Sequence, residues 1–271
     1  MDKQYIVLDD EKKAIHRFKG GEKALDWKVV KDFDNLAMIV PEPFIILDFD
    51  TVSDAKIIQQ IIDDLDLKCK IMQTSRGVHV WFKSPDPWKN FTKTRLAIGI
   101  YSDCRSHSRN AYVKIKDNGV MRKWLRECDD DEVMNVPKWL YPVSQPGEHY
   151  RFKEMGDGSG RNQELFSYIV YLQSKGFKRD EIKDTINVIN QFVLAEPLPQ
   201  YEVDLILRDE AFKSDEEIEA QIADKEIKRG KFEHNVFADE LLAVDKIITY
   251  NEKIYIYRDG YYQPNQQQIE R

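Results

Sequence analysis

The chain has 271 residues, of which 42% are hydrophobic and 33% are charged, enough for a buried core in one large domain or two. Its formal net charge of −7 does not indicate nucleic-acid binding, although a whole-chain average hides any local basic patch. No apolar stretch is long enough to cross a membrane, no signal-peptide pattern opens the sequence, and three scattered cysteines favour reduced thiols, so we expect a cytoplasmic protein.

The first informative element is the apolar run Phe44-Ile45-Ile46-Leu47, which continues into Asp48-Phe49-Asp50. A run this short, after two prolines, predicts a buried strand. Because side chains alternate along a strand, Asp48 and Asp50 point to the same face. Two carboxylates on one face repel each other unless a cation lies between them, and oxygen ligands suit Mg²⁺ or Mn²⁺. The pattern alone leaves both a metal site and a solvated strand end open.

A helix and a hairpin are predicted next. Isoleucine and leucine recur at helical spacing over 57–65, and Ser53-Asp54 is a candidate N-cap. Strand patterns over 70–74 and 78–83 flank the turn Ser75-Arg76-Gly77, and together these three segments indicate a hairpin.

The turn and second strand of this hairpin carry groups that suit a phosphate chain. Alternation along the strand predicts His79 on a half-exposed face, opposite the buried valines and phenylalanine. Ser75 and Arg76 beside an outward imidazole offer hydroxyl, guanidinium and imidazole donors to one phosphate chain. The alternative is a surface histidine without a role.

A third acidic residue, Asp103, follows the strand-like run 98–102, and a basic stretch with interleaved aromatic residues begins beside it. Such a stretch suits a nucleic-acid backbone and stacked bases. Its members are Arg105, Arg109, Tyr112, Lys114, Lys116, Arg122, Lys123, Trp124 and Arg126. An Asp-Asn-Gly turn at 117–119 predicts a hairpin with strands over 111–116 and 120–124. The alternative is an ordinary solvated hairpin face.

The character of the sequence changes to helical after the glycine-rich segment 156–160. Apolar stripes predict short helices over 165–172, 182–193 and 203–207, with Gly176 ending the first of them. The first stripe consists of Leu165, Phe166, Ile169, Val170 and Leu172.

Together these patterns resemble the archaeo-eukaryotic primase superfamily, and more narrowly the primase-polymerase domains of phages and mobile plasmids. The matching features are Asp-x-Asp at 48–50, Ser-x-Gly-x-His at 75–79 and the acid at 103. Downstream, the sequence from Gly160 to Glu202-Val203 resembles the small helical domain that follows these catalytic domains. The two matches together cover about 40–215.

The resemblance implies an α+β fold, with a primase-polymerase catalytic domain built on an RRM-like sheet over 1–150. A helical bundle domain over 156–213 would follow it. The strongly charged segment 214–231 reads as a linker or a helix. Residues 232–271, with a strand pattern over 254–257, resemble the start of a segment that joins such primases to a helicase, or a C-terminal extension.

The resemblance also implies a DNA primase and polymerase that synthesises and extends primers on a single-stranded DNA template by two-metal nucleotidyl transfer. The predicted catalytic residues, which are also the ligands of two Mg²⁺ or Mn²⁺ ions, are Asp48, Asp50 and Asp103. The predicted residues for nucleoside triphosphate binding are Ser75, Arg76, His79, Arg105 and Lys114. Asp117 competes for the third acidic position, but the Asp-Asn-Gly turn already explains it.

The implied partners are single-stranded DNA, ribo- or deoxyribonucleoside triphosphates and a replicative helicase domain or subunit, in the cytoplasm of a bacterial host. Cys104 and His107 lack a second pair of ligands, so no zinc is expected. No phosphate loop of the GxxxxGK[ST] type occurs. Two alternatives remain: a non-catalytic DNA-binding or helicase-recruiting module, and a metal-dependent nuclease.

Overall fold

The structure, a computed structural model, describes residues 3–16, 18, 25–85, 88–107, 111–143, 150–158 and 160–212, and the backbone of three strands between 247 and 264. Contacts divide the chain into two compact units, Met1–Lys213 and Ser214–Arg271. The fold is mixed α+β, as expected from the sequence.

The first unit contains two antiparallel sheets. The larger has the order β10-β4-β5-β3-β7-β6 and the smaller the order β1-β2-β8-β9. The strands are β1 (Tyr5–Val7), β2 (Leu36–Ile39), β3 (Phe44–Phe49), β4 (Lys70–Gln73), β5 (Val78–Lys83), β6 (Phe91–Arg95), β7 (Tyr101–Ser106), β8 (Tyr112–Asp117), β9 (Val120–Met121) and β10 (Trp124–Arg126).

Helices accompany these sheets in the same unit. They are α1 (Trp27–Val30), α2 (Val52–Asp64), α3 (Arg161–Gln173), α4 (Arg179–Val188) and α5 (Gln200–Ile206), with short 3₁₀ turns at Lys138–Leu140, Phe152–Glu154 and Asp209–Ala211 and a π turn at Ile189–Val193.

The larger sheet is buried on both faces, which creates three layers. Leu47 and Phe82 pack with the helices in one core, which also contains Tyr168 of α3. Ile46 and Trp81 point the other way, into a second core shared with the smaller sheet. Since Asp48 and Asp50 share the alternation of Ile46, they face the space between the two sheets.

Helix α2 begins at Val52, two residues earlier than a cap at Ser53 would place it. Its N-cap is Thr51, whose Oγ1 accepts a hydrogen bond from the backbone N–H of Asp54 at 3.0 Å. The prediction of Ser53-Asp54 as the cap was therefore wrong, because Thr51 already supplies the oxygen that the first turn needs. The buried face of the helix carries Ile58, Ile61 and Ile62, as its periodicity indicated.

The predicted hairpin over 70–83 is confirmed as β4 and β5, which pair in antiparallel register. The expectation that the His79 face would be half exposed was wrong. Only 5% of His79 and 3% of Trp81 are accessible to solvent. The smaller sheet, which joins Trp81 in the second core, covers this face of β5.

The run 98–102 is not the strand predicted before Asp103. Gly99 adopts a positive φ of 84°, in a turn where a Cβ atom would lie 2.5 Å from the ring of Phe152. The strand begins only at Tyr101, so Asp103 lies inside β7 rather than after a strand.

The second predicted hairpin forms, but it is shorter than expected. Strand β9 ends at Met121. Trp124, which was predicted in the same strand, pairs with Met72 in the larger sheet, and its ring lies 5.6 Å from that of Trp81. Because Trp124 packs against Trp81, the chain passes from the smaller sheet to the larger one between β9 and β10.

The helical segment packs onto the larger sheet. In α3, Leu165, Ile169 and Leu172 are buried as predicted, but 38% of Phe166 and 44% of Val170 are exposed. Tyr168 takes the inward position instead, because its hydroxyl can donate to the carbonyl of Ala97 at 2.7 Å.

Two further predictions for the helical segment are confirmed, namely the glycine that ends the first helix and the burial of the next two apolar stripes. Gly176 ends the first helix with a positive φ of 82°. The apolar stripes of the next two helices are buried, at Ile182, Ile186, Ile189, Val193, Val203, Ile206 and Leu207.

The second unit contains an antiparallel sheet of β11 (Ile247–Tyr250), β12 (Lys253–Arg258) and β13 (Tyr261–Pro264). The strand predicted over 254–257 is confirmed within β12. The charged segment 214–231 lies outside the described residues. Across the described part of the chain, no helix has both the length and the apolar character needed to span a bilayer.

Candidate active site

One imidazole and two carboxylates form a row across three neighbouring strands. In the register of the larger sheet, Asp48 of β3 lies opposite His79 of β5 on one side and opposite Asp103 of β7 on the other. Directly opposed residues share a face, with Cβ atoms about 4.5–5.5 Å apart. Asp50 follows the end of β3 on the same side. Residues far apart in sequence are thus brought together between the two sheets.

The central carboxylate of this row is only partly satisfied. Nε2 of His79 lies 3.2 Å from Oδ2 of Asp48. The other oxygen, Oδ1, is buried and has no hydrogen-bond partner among the described residues. A buried acceptor without a donor is costly, by about 1–3 kcal/mol, so this oxygen is suited to a ligand.

Asp103 is held by two donors. Its Oδ2 lies 3.3 Å from a guanidinium nitrogen of Arg105, and its Oδ1 accepts from the backbone N–H of Lys93 at 2.7 Å. Arg105 is on the same face of β7, two residues further on, so the strand supplies both the carboxylate and its counter-charge. These contacts fix the orientation of the Asp103 carboxylate.

The turn that carries Ser75 and Arg76 lies directly against Asp50. Gly77 makes this possible, because a Cβ atom there would be 1.7 Å from the carbonyl oxygen of Phe49. Arg76 then reaches Asp50, with 3.9 Å between a guanidinium nitrogen and Oδ1. The glycine therefore sets the distance between the predicted phosphate-binding turn and the predicted metal ligands.

The electrostatics of Asp50 reflect its crowded surroundings. Partial burial raises the pKa of its carboxyl, and the negative charges of Asp48 and Asp103 raise it further. Arg76 and His79 act in the opposite direction, lowering this pKa. A carboxyl group whose pKa is raised by two neighbouring carboxylates, as at Asp50, is expected where a cation binds between them.

A cleft of about 550 Å³ contains this constellation. All eight residues predicted for catalysis or nucleotide binding line it, together with Leu8, Lys12, Thr74, Asn90, Ala111, Tyr112, Val113 and Arg122. Of the described side chains that line the cleft, five are cationic and three are carboxylates, so together they carry a net positive charge although the chain as a whole is acidic. Such a lining suits a polyanion bound beside divalent cations.

Lys114 lines the cleft but already has a partner. Its ammonium lies 2.5 Å from Oδ1 of Asp117, and this hydrogen bond lowers the pKa of Asp117. Asp117, the competitor for the third acidic position, is not among the described residues that line the cleft. The register instead brings Asp103 next to Asp48.

Two cations in the cleft were not predicted as site residues. Arg122 belongs to the basic stretch, and its pKa is lowered by burial while Asp48, Asp117 and Asp50 act to raise it. Membership of this basic stretch was the signal in the sequence that pointed to Arg122. Lys12, with a positive φ of 66°, comes from the N-terminal segment, and no local pattern connects it with the cleft.

The remainder of the basic stretch does not form one surface. Arg126 pairs with Asp63 of α2 at 2.8 Å, and Lys116 donates to the carbonyl of Lys31 at 2.9 Å. Arg109 lies outside the described residues. Of the members of this stretch that the structure describes, Arg105, Lys114 and Arg122 alone contribute positive charge to the cleft.

The donor set of the cleft fits a hard divalent cation. Its oxygens come from Asp48, Asp50 and Asp103, and Mg²⁺ and Mn²⁺ favour carboxylate ligands. The buried, unpartnered Oδ1 of Asp48 is a ready ligand atom. In the arrangement of the described residues, however, no three His, Cys, Asp or Glu side chains are grouped closely enough to hold a metal ion together.

No protein-family model matches the chain, and a search of curated proteins finds no similar sequence.

Proposed function

We propose that the protein is a DNA primase-polymerase that makes and extends primers on single-stranded DNA. The observation that carries the proposal is the row of His79, Asp48 and Asp103 across adjacent strands, with Asp50 beside it, in a cleft lined by five cations. Nucleotidyl transfer requires carboxylates that bind divalent cations, together with cationic groups that bind a triphosphate. Both sets of groups face one space here.

The fold is compatible with this proposal. The central strands of the larger sheet have the order β4-β5-β3-β7, and α2 connects β3 to β4, as in an RRM-like sheet. The helical segment shares the core of this sheet on the face opposite the cleft. Beyond the catalytic unit, a replicative helicase is the proposed partner, in the cytoplasm of a bacterial host.

Asp48, Asp50 and Asp103 would hold the divalent cations. Two ions held there would supply Lewis-acid activation of a 3′-hydroxyl and charge neutralisation for a leaving pyrophosphate. The chain's own contribution is to orient the ligands: His79 fixes Asp48, and Arg105 and the Lys93 N–H fix Asp103.

The cations of the cleft would bind and position the triphosphate. The guanidinium of Arg76 is largely exposed, with 77% of its side chain accessible, so it can turn from Asp50 to an incoming phosphate at little cost. Ser75 adds a hydroxyl donor in the same turn. Binding of phosphate by His79 stays a prediction, because its Nε2 is occupied by Asp48.

The test is incubation of the full chain with single-stranded DNA, Mg²⁺ or Mn²⁺, and nucleoside triphosphates. We expect newly synthesised primers, and an added primer should be extended to longer products. The double variant Asp48→Ala, Asp50→Ala should make neither product. Shortening of DNA with metal but without nucleotide would identify a nuclease instead. DNA binding without synthesis, unchanged in the double variant, would identify a non-catalytic module.

A further inference from the structure

A second depression, which we call the aromatic groove, lies beside the active-site cleft in the same unit. Its volume is about 260 Å³. Its apolar surface comes mainly from the aromatic side chains Tyr5, Trp27 and Trp124 and the methionines Met38, Met72 and Met121. Lys3 and Arg122 add positive charge, and no carboxylate is among the described residues that line it.

Part of the apolar surface of this groove is exposed to solvent rather than buried in the core. The indole of Trp27 is 40% exposed, and the adjacent Met121 is 48% exposed. The rings of Tyr5 and Trp27 lie 5.3 Å apart at an angle of 57°, so Trp27 is not stacked face to face on Tyr5. A flat apolar ligand can therefore lie against the indole, and methionines adapt their shape to it.

The groove adjoins the active-site cleft through Arg122. This residue lines both depressions, and also a third one that contains Thr74 and Ser75. The carboxylates of Asp48, Asp117 and Asp50 act on Arg122 through their charge, without a side-chain hydrogen bond to its guanidinium, so its N–H groups can donate to a phosphate. A polyanion that passes Arg122 would touch the cleft on one side and the aromatic rings on the other.

We propose that the aromatic groove binds unpaired bases of a single DNA strand as that strand approaches the carboxylate row. The inference rests on the proposed function, and it identifies the groove as the surface along which the template strand reaches the active site. Aromatic rings that stack on bases of any sequence, interleaved with cations that contact the backbone, are the usual composition of single-strand binding surfaces. The described residues that line this groove include no carboxylate, whereas Asp48, Asp50 and Asp103 line the active-site cleft.

The test compares two ligands in a binding assay without metal and without nucleotide. Fluorescence anisotropy of the full chain would be measured with a labelled oligothymidylate and with an abasic oligomer of equal length. We expect Trp27→Ala to weaken oligothymidylate binding by about tenfold, because stacking on one aromatic ring is removed. Binding of the abasic oligomer should not change, and Trp27→Phe should restore most of the affinity.

Tyr201→Ala is the matched control, since Tyr201 is also an exposed aromatic residue, at 65%, but lies on α5. It should bind both oligomers like the wild type. Equal affinity of wild type and Trp27→Ala for oligothymidylate would overturn the proposal. So would an equal loss with the abasic oligomer, which would indicate a structural effect or occupation of the groove by a protein segment.

A second measurement uses only the wild-type chain, so it does not depend on the folding of a variant. Ultraviolet crosslinking to an oligonucleotide that contains 5-bromodeoxyuridine should label Tyr5, Trp27 or Trp124. Crosslinks confined to other residues would overturn the groove. If the wild type synthesises primers and Trp27→Ala binds DNA as the wild type does, the proposed role of the groove is wrong but the proposed activity stands. If binding depends on the bases but no primer is synthesised, the proposed activity is wrong but the role of the groove in strand binding stands.

Discussion

At the scale of single residues, Gly77 determines how closely the turn with Ser75 and Arg76 can approach Asp50. A Cβ atom at this position would overlap the carbonyl oxygen of Phe49 at 1.7 Å and its carbon at 2.8 Å. Both atoms belong to backbone of a buried strand, which cannot move aside as a flexible side chain could. The glycine is therefore required for the geometry of the site, and the Ser-x-Gly-x-His pattern includes it for a steric reason.

We predict that Gly77→Ala lowers the free energy of unfolding by at least about 2 kcal/mol, because overpacking displaces the hairpin or β3. Urea denaturation measures the change. Gly156→Ala is the control: the atoms nearest to its Cβ would belong to the side chain of Glu196, at an ordinary 3.6 Å, so we expect a change within about 0.5 kcal/mol. Equal stability of the two variants would contradict the close approach of Gly77 to Phe49.

At the scale of elements, β7 separates two environments. Asp103 and Arg105 face the cleft, and Cys104 between them points into the core on the helical side, where it is fully buried. Burial raises the pKa of the Cys104 thiol to about 12, and it has the same effect on Cys69. Thiol chemistry can therefore report which way this strand faces.

We predict that iodoacetamide at pH 8 labels Cys128, which is partly exposed, well before Cys104 or Cys69 in the folded protein. Mass spectrometry of the digested protein measures the order, and the urea-unfolded chain, in which all three should react, is the control. Labelling of Cys104 as fast as Cys128 would mean that β7 is turned and that Asp103 does not face the cleft.

The elements also show how far the sequence could predict the site. Asp48, Asp50 and His79 could be predicted as candidate site residues because strand alternation and a turn are local sequence patterns. The sequence did not predict that Asp103 lies inside a strand. The turn at Gly99, which delays the start of that strand, packs against Phe152, a residue more than fifty positions later. The exit of Trp124 to the larger sheet depends in the same way on Trp81. Non-local packing decided both.

At the scale of the whole molecule, the sheet and the helical segment of the first unit share one hydrophobic core. Tyr168, Leu172 and Ile186 are fully buried in the same cluster as Leu47 and Phe82 of the sheet. An ion pair between Lys153 and Asp54 adds a polar contact between the segment before α3 and the start of α2. The sheet that carries the site therefore depends on the helices behind it.

We predict that a fragment of residues 1–213 unfolds cooperatively, whereas a fragment of residues 1–155 does not, because removal of α3 to α5 exposes one side of the core. Circular dichroism during urea titration measures both. A fragment of 1–155 with the same transition midpoint as 1–213 would show that the helices are not needed for the stability of the sheet.

The most direct measurement of the central claim is primer extension on single-stranded DNA with Mg²⁺ or Mn²⁺ by three variants that each lose one carboxylate charge. We predict that Asp48→Asn and Asp103→Asn, which lie opposite each other in the sheet, reduce the rate by at least about a hundredfold. Asp117→Asn, which removes a carboxylate charge that pairs with Lys114 and acts on Arg122 but does not lie in the row, should stay within about threefold of the wild type. Full activity of Asp48→Asn or Asp103→Asn would contradict the assignment of the catalytic site.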